Sequence, residues 1–201
     1  MGKISLINSK RDFSIDRLHQ LKPDKIFFAH WSYIIPKDIL EEFECIVFHM
    51  TDLPFGRGGS PLQNLIARGI DKTKLSALRV SEGLDEGPIY LKKELSLYGT
   101  AEEIFIRAND LISIMIEEII LNNLSPSAQV GEAVLFKRRT PDMSSINSID
   151  ELNELFNHIR MLDASGYPHA YLNTPNFRLE FTRASLKADN SIIADVRITK
   201  K

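Results

Sequence analysis

Cysteine is nearly absent. Cys45 is the only one in 201 residues, which excludes an intrachain disulfide framework and fits a reducing, cytoplasmic setting. Positive net charge is absent too: 25 Lys and Arg against 27 Asp and Glu give −2, so no overall basic field attracts a large nucleic acid. No apolar run is suited to a bilayer, because the greasiest stretch, Ile104 to Leu121, is broken by Arg107, Asp110, Glu117 and Glu118. The opening Met-Gly-Lys-Ile-Ser-Leu lacks the apolar core of a secretion signal. There is no Gly-Lys-Ser/Thr of a Walker phosphate loop. His158 and His169 stand isolated and no metal-ligand spacing stands out, so no metal is expected. Internal repeats and low-complexity segments are also missing. What remains is ordinary globular composition, 43% hydrophobic and 26% charged, enough for one good-sized domain or a domain with a small appendage.

Taken in order, the chain alternates strand and helix signals. Lys3 to Ile7 and Lys25 to Ala29 read as strands, and Asp12 to Leu21 and Pro36 to Phe43 as helices. Cys45 to Phe48 is a buried strand that delivers His49 at its end. A loop follows, its turns set by Pro54, Gly56, Gly58 and Gly59, and Ser60-Pro61 reads as an N-cap and first-turn proline. Leu75 to Val80 leads into an acidic, Gly-containing loop, with Ile89 to Leu97 as its antiparallel partner. Thr100 and Glu103 make a capping box for a long helix. Leu124 to Gly131 reads as a linker, so the expected parts are residues 1–124 and 134–201. The second part holds a helix over Ser148 to Leu162, boxed by Glu151, and three strands. The pattern predicts an α/β fold with a mainly parallel sheet and a small strand-rich C-terminal part.

The stretch from Cys45 to Gln63 resembles the folate-dependent formyltransferase family, whose motif reads Asn-x-His-x-Ser-Leu-Leu-Pro, a spacer, then Arg-Gly-Ala-x-Pro-x-Gln. The matches are His49, Thr51 in place of Ser, Leu53, Pro54, Arg57-Gly58, Pro61 and Gln63. Val80 to Pro88 is similar to the family's Asp-x-Gly loop, with Asp85 in the place of the essential aspartate. The resemblance covers roughly residues 24 to 184. Two departures stand out. The family's asparagine falls on Val47, and the strand-helix-strand unit with which the family usually begins is missing ahead of Lys25. The sheet is therefore expected to be a truncated Rossmann-like one.

The resemblance implies transfer of a formyl group from N10-formyltetrahydrofolate to an amine. His49 would stabilise the oxyanion or carry the proton, and Asp85 would orient it. Valine offers no donor to an oxyanion, and Asn64 is the nearest amide that could substitute. Arg57, Gly58, Gly59, Glu82, Gly83, Leu84 and Gly87 would line the folate side, with Arg57 equally able to order its loop. His30, Trp31, Thr51 and the cations Lys137, Arg138 and Arg139 would face the acceptor. Each of these has a blander reading: a core tryptophan, a solvated charge run, a loop histidine. The few cations favour a nucleotide-linked amino sugar as acceptor over tRNA. The alternatives are a methionyl-tRNA formyltransferase-like activity, hydrolysis of the formyl folate, and a folate-binding protein without catalysis. The long helix carries a second apolar stripe, Phe105, Ile112, Ile116 and Ile120, which the C-terminal part or a second subunit must cover. A homodimer is the expectation.

Overall fold

The computed structural model describes residues 3–31 and 33–201. Met1, Gly2 and Ser32 lie outside the described residues, and with them the first residues of the opening segment and one position of the aromatic run 27–36. Lys3 to Ile7 is not a strand. Ile4 is 87% exposed and Leu6 81%, and an extended segment without a ladder partner is no more than extended coil.

The N-terminal part contains α1 (Ile15–Leu21), β1 (Ile26–Phe28), α2 (Lys37–Glu42) and β2 (Cys45–His49). Ser14 caps α1, its hydroxyl accepting from the Arg17 N–H. Leu18, Phe28, Ile35, Ile39 and Cys45 meet in one small core. Next come β3 (Phe55–Gly58), α3 (Pro61–Ile66), β4 (Lys72–Arg79), β5 (Ile89–Ser96) and α4 (Ala101–Leu121). The main sheet has the order β1-β2-β4-β5. The α/β class and the strand-rich C-terminal part stand as expected. Parallel pairing occurs in β1–β2 and in a separate pair, β3 with β6 (Val134–Phe136). β4 runs antiparallel to β2, and β5 antiparallel to β4.

That direction matters for the site. Arg79, at the end of β4, lies opposite Ile46, while His49 lies opposite Ser76. The loop after β4 therefore starts about three strand residues, roughly 10 Å, from His49. It reaches the histidine by folding back, not because two parallel strands end at a common edge.

The loop after His49 is more ordered than its glycines suggest, since β3 lies within it. Ser60 is not a side-chain cap for α3: its φ is +51° and its hydroxyl accepts from the Arg139 N–H instead. The box on α4 forms as expected, Thr100 and Glu103 exchanging bonds. Ile104, Ala108, Ile112, Met115 and Ile119 are buried along that helix. Its second stripe is covered largely from within the chain. Ile112 is 4% exposed, Phe105 packs against His30 and Tyr167, Ile116 packs on the core, and Ile120 stays half exposed.

The C-terminal part holds α5 (Leu152–Arg160) and the antiparallel strands β7 (Ala170–Asn173), β8 (Phe177–Leu186) and β9 (Ile192–Lys200). Glu151 is the N-cap of α5 but makes no side-chain cap bond, so the expected box is absent. Arg160 is 5% exposed and donates to the Leu97 and Gly99 carbonyls at 2.6 and 3.0 Å. This ties α5 to the turn before α4. The segment read as a linker is strapped down as well, Ser127 and Ile89 exchanging two backbone bonds of 2.7 and 2.9 Å.

Candidate active site

Strand β2 carries an apolar run, Cys45 to Phe48, and presents His49 where its ladder with β4 ends. The imidazole is nearly buried. Its Nε2 lies 2.7 Å from the Gly56 carbonyl and its Nδ1 3.6 Å from Asp85 Oδ2. Both ring nitrogens thus face oxygen atoms. The Asp85 separation is beyond a hydrogen bond but within ion-pair range. Side-chain exposures of 10% and 16% keep both groups largely away from bulk water.

Asp85 is held by more than its partner. Its Oδ2 accepts from the Gly58 N–H at 2.9 Å, and its backbone lies in the left-handed region at φ +52°, which aspartate tolerates better than most residues. Gly58 meets a stricter demand. Its φ is +109°, and a Cβ there would sit 2.4 Å from the Phe136 carbonyl oxygen. Only glycine lets β3 pair so closely with β6 while its amide points at a carboxylate. Thr51 is fully buried, with its hydroxyl 3.3 Å from the Gly56 carbonyl, so it steadies the histidine's own acceptor.

The other candidates divide. Arg57 orders the loop: its guanidinium donates to Gln129 Oε1 at 3.1 and 2.9 Å and to Glu86 at 3.2 Å. Gly59 packs against Arg138, with its N–H on the Phe136 carbonyl. Gly87 lies tight on the Arg79 carbonyl, Gly83 on the Glu86 carboxylate. Glu82 points outward, 3.6 Å from Lys37 with both exposed, while Leu84 is 66% exposed beside the Asp85 turn.

Asn64 does not substitute for the missing asparagine. Its amide nitrogen donates to the carbonyls of Gly59, Ser60 and Lys137, and its oxygen accepts from Arg68. Both ends of that amide are spent, the nitrogen at the start of α3 and the oxygen on Arg68 just past its end. Val47 packs at the edge of the small N-terminal core.

The three consecutive cations do not act together. Lys137 and Arg138 are exposed, but Arg139 turns inward to the Met143 carbonyl, and burial lowers its affinity for a proton. They form no diphosphate clamp. His30 bonds Asn109 at 2.8 Å on α4. Trp31 sits among Phe13, Phe28 and Tyr33, which fits the core reading. Two surface concavities of about 480 and 350 Å³ lie elsewhere, and neither is lined by His49 or Asp85.

Gln129 was missed from sequence because it sits in an apparent linker. Its Nε2 donates to the Asp85 and Gly87 carbonyls at 2.7 and 2.8 Å. The only signal available was an amide within a short polar stretch, too common to single out.

A histidine at a strand end, a carboxylate brought to it by a returning loop, and a glycine strand between them define a class. Residues 8–111 match the family model described as formyl transferase, and the chain belongs to that family. Residues 141–199 match the model described as the C-terminal domain of methionyl-tRNA formyltransferase. A methionyl-tRNA formyltransferase of Ehrlichia ruminantium strain Gardel is 32% identical over 190 residues, covering 91% of this chain and 61% of its own. The chain thus spans about three fifths of the length of the curated relatives it matches. A solved methionyl-tRNA formyltransferase from Clostridium thermocellum is 51% identical with a TM-score of 0.94, over 97% of this chain and 86% of that one. A sugar N-formyltransferase from Shewanella shares the fold with a TM-score of 0.61, over 90% of this chain and 73% of its own, but only 17% identity. These findings overturn the amino sugar nucleotide as acceptor. Its argument rested on a cation run that the structure breaks up, and the similarity lies with the tRNA-directed enzymes.

Proposed function

We propose that this chain transfers a formyl group from N10-formyltetrahydrofolate to the amino group of methionyl-tRNA. The observation that carries this reading is the His49–Asp85 pair, 3.6 Å apart and shielded, with each partner fixed by a glycine backbone of the same loop. The family membership and the names of the relatives supply the substrates.

In the reaction the amine nitrogen attacks the formyl carbon, and the new C–N bond leaves a negative oxygen. The bond to the folate nitrogen then breaks, that nitrogen takes a proton, and the amine gives one up. His49, anchored through Nε2, keeps Nδ1 towards Asp85 and the reacting groups. It stabilises the oxyanion and, with Asp85, carries the proton. Leu84 and the turn 82–88 offer an exposed apolar residue and close backbone to the flat donor. Lys137 and Arg138 stand at the rim, beyond Gly59, for the phosphates of the acceptor. Residues 1–124 carry the reacting groups and residues 134–201 face the tRNA, in a cytoplasmic enzyme. Among the described residues no helix is long and apolar enough to cross a membrane.

The test is a transfer assay with His49→Ala and Asp85→Asn. Each should lose at least about a hundredfold in rate while circular dichroism stays that of the parent. Full activity in either variant removes its residue from the mechanism. Val47 favours a second reading, a folate-binding protein without transfer. Calorimetry showing formyl folate bound, with no formyl released to any amine offered, would select it.

A further inference from the structure

We infer that Gln129, in the segment between α4 and β6, positions Asp85 against His49, an inference that rests on the reading of those two residues as the reacting pair. One amide serves two neighbours of opposite need. Its oxygen takes two N–H bonds from Arg57 in β3, at 3.1 and 2.9 Å. Its nitrogen gives both hydrogens to the returning loop, at the carbonyls of Asp85 (2.7 Å) and Gly87 (2.8 Å). Arg57 closes the circuit through Glu86 at 3.2 Å. The loop is therefore gripped at three successive residues, Asp85 to Gly87, beginning at the residue whose carboxylate accepts from Gly58.

Gln129 is itself placed by backbone. Ser127 pairs with Ile89, and the Val134 N–H donates to the Pro54 carbonyl at 3.2 Å. The bonds around Asp85 hold it in its left-handed turn at φ +52°. A displacement of about 1 Å between reacting groups can cost about a hundredfold in rate. The segment after α4 is in this account part of the site.

The experiment uses the full chain with Gln129→Glu and Gln129→Met. Glutamate has the same shape and still accepts from Arg57, but it sets an oxygen against two carbonyl oxygens. Methionine keeps the length and removes both polar ends without adding charge, so it decides the matter if the glutamate variant does not fold. Two quantities are read. The first is the pH titration of the Gly58 amide in ¹⁵N–¹H spectra, which follows the carboxylate it donates to. The second is kcat for formyl transfer from N10-formyltetrahydrofolate to methionyl-tRNA, in the parent and in an Asp85→Asn background.

The expected result is a Gly58 titration reduced at least twofold in amplitude. It comes with a kcat about 10- to 100-fold lower, a loss that disappears when Asp85 is already Asn. An unchanged Gly58 titration, or a kcat loss that persists in Asp85→Asn, overturns the inference. If the parent transfers no formyl group and the Gly58 titration still collapses in the variants, the positioning stands and the proposed function falls.

Discussion

At the scale of single residues, the sequence singles out positions that the structure brings together where a backbone demand coincides with a motif. His49, Asp85 and Gly58 fall in two short stretches, and the structure brings all three within bonding or ion-pair range. Asn64 and Arg139 were not readable, because a sequence shows a functional group and not what occupies it. Three carbonyls take the Asn64 nitrogen, and the Met143 carbonyl takes the Arg139 guanidinium. The crowding at Gly58 gives a prediction independent of catalysis. Gly58→Ala would press a Cβ to 2.4 Å from the Phe136 oxygen at φ +109°. It should destabilise the protein by more than about 1 kcal/mol, read as a lower denaturant midpoint. Gly69→Ala shares a positive φ, +71°, but meets nothing within 4 Å, so its loss should be the smaller. Equal losses would refute the role given to the β3–β6 contact.

At the scale of elements, periodicity found most helices and strands but not strand direction. Nothing in Leu75 to Val80 says that β4 runs against β2, because a buried strand is apolar in either direction. Nor could composition show that the polar segment 124–131 is strapped to Ile89 and to the Asp85 loop. Two element-level features make stability depend on pH. Glu44, before β2, and Asp52, after it, are partly buried, which alone would raise their pKa values. Glu44 is bonded to Lys25 and Tyr90, and Asp52 to Lys92 at 2.5 Å and Lys74 at 3.1 Å, and these bonds hold both carboxyls below their ordinary 4.5 and 3.8. A depressed folded pKa means that the unfolded chain takes the proton first. The stabilisation is present above the ordinary values and is lost as pH falls through the folded ones. Melting temperature should therefore drop below about pH 4.5, less steeply in Asp52→Asn. An unaltered slope in that variant would show that the lysine pairs add nothing.

The same sign holds for His158 on α5. Its burial, and then the nearby Arg139, push its pKa below the ordinary 6.5. The unfolded chain again binds the proton first, so stability should decline as pH falls below about 6.5. His158→Gln should flatten that part of the melting-temperature profile, and a profile that keeps its slope would move the cause elsewhere.

At the scale of the whole molecule, net charge pointed away from tRNA, whereas the similar proteins from Ehrlichia ruminantium and Clostridium thermocellum are methionyl-tRNA formyltransferases. A net −2 describes the sum and not where the charges lie. Lys137 and Arg138 are exposed, and Arg138 lies against Gly59. If they contact tRNA, exchanging both for Glu should weaken binding at every salt concentration. It should also make the plot of log affinity against log salt shallower by about 1 to 2. Identical salt slopes in filter binding would place the tRNA elsewhere. The most direct measurement of the central claim is formyl transfer itself. The full chain, incubated with N10-formyltetrahydrofolate and methionyl-tRNA, is read by the mass of the released amino acid. One added formyl group is expected with the parent chain and at least about a hundredfold less with His49→Ala. Methionine that stays unformylated with the parent chain, while formyl folate is bound, would contradict it.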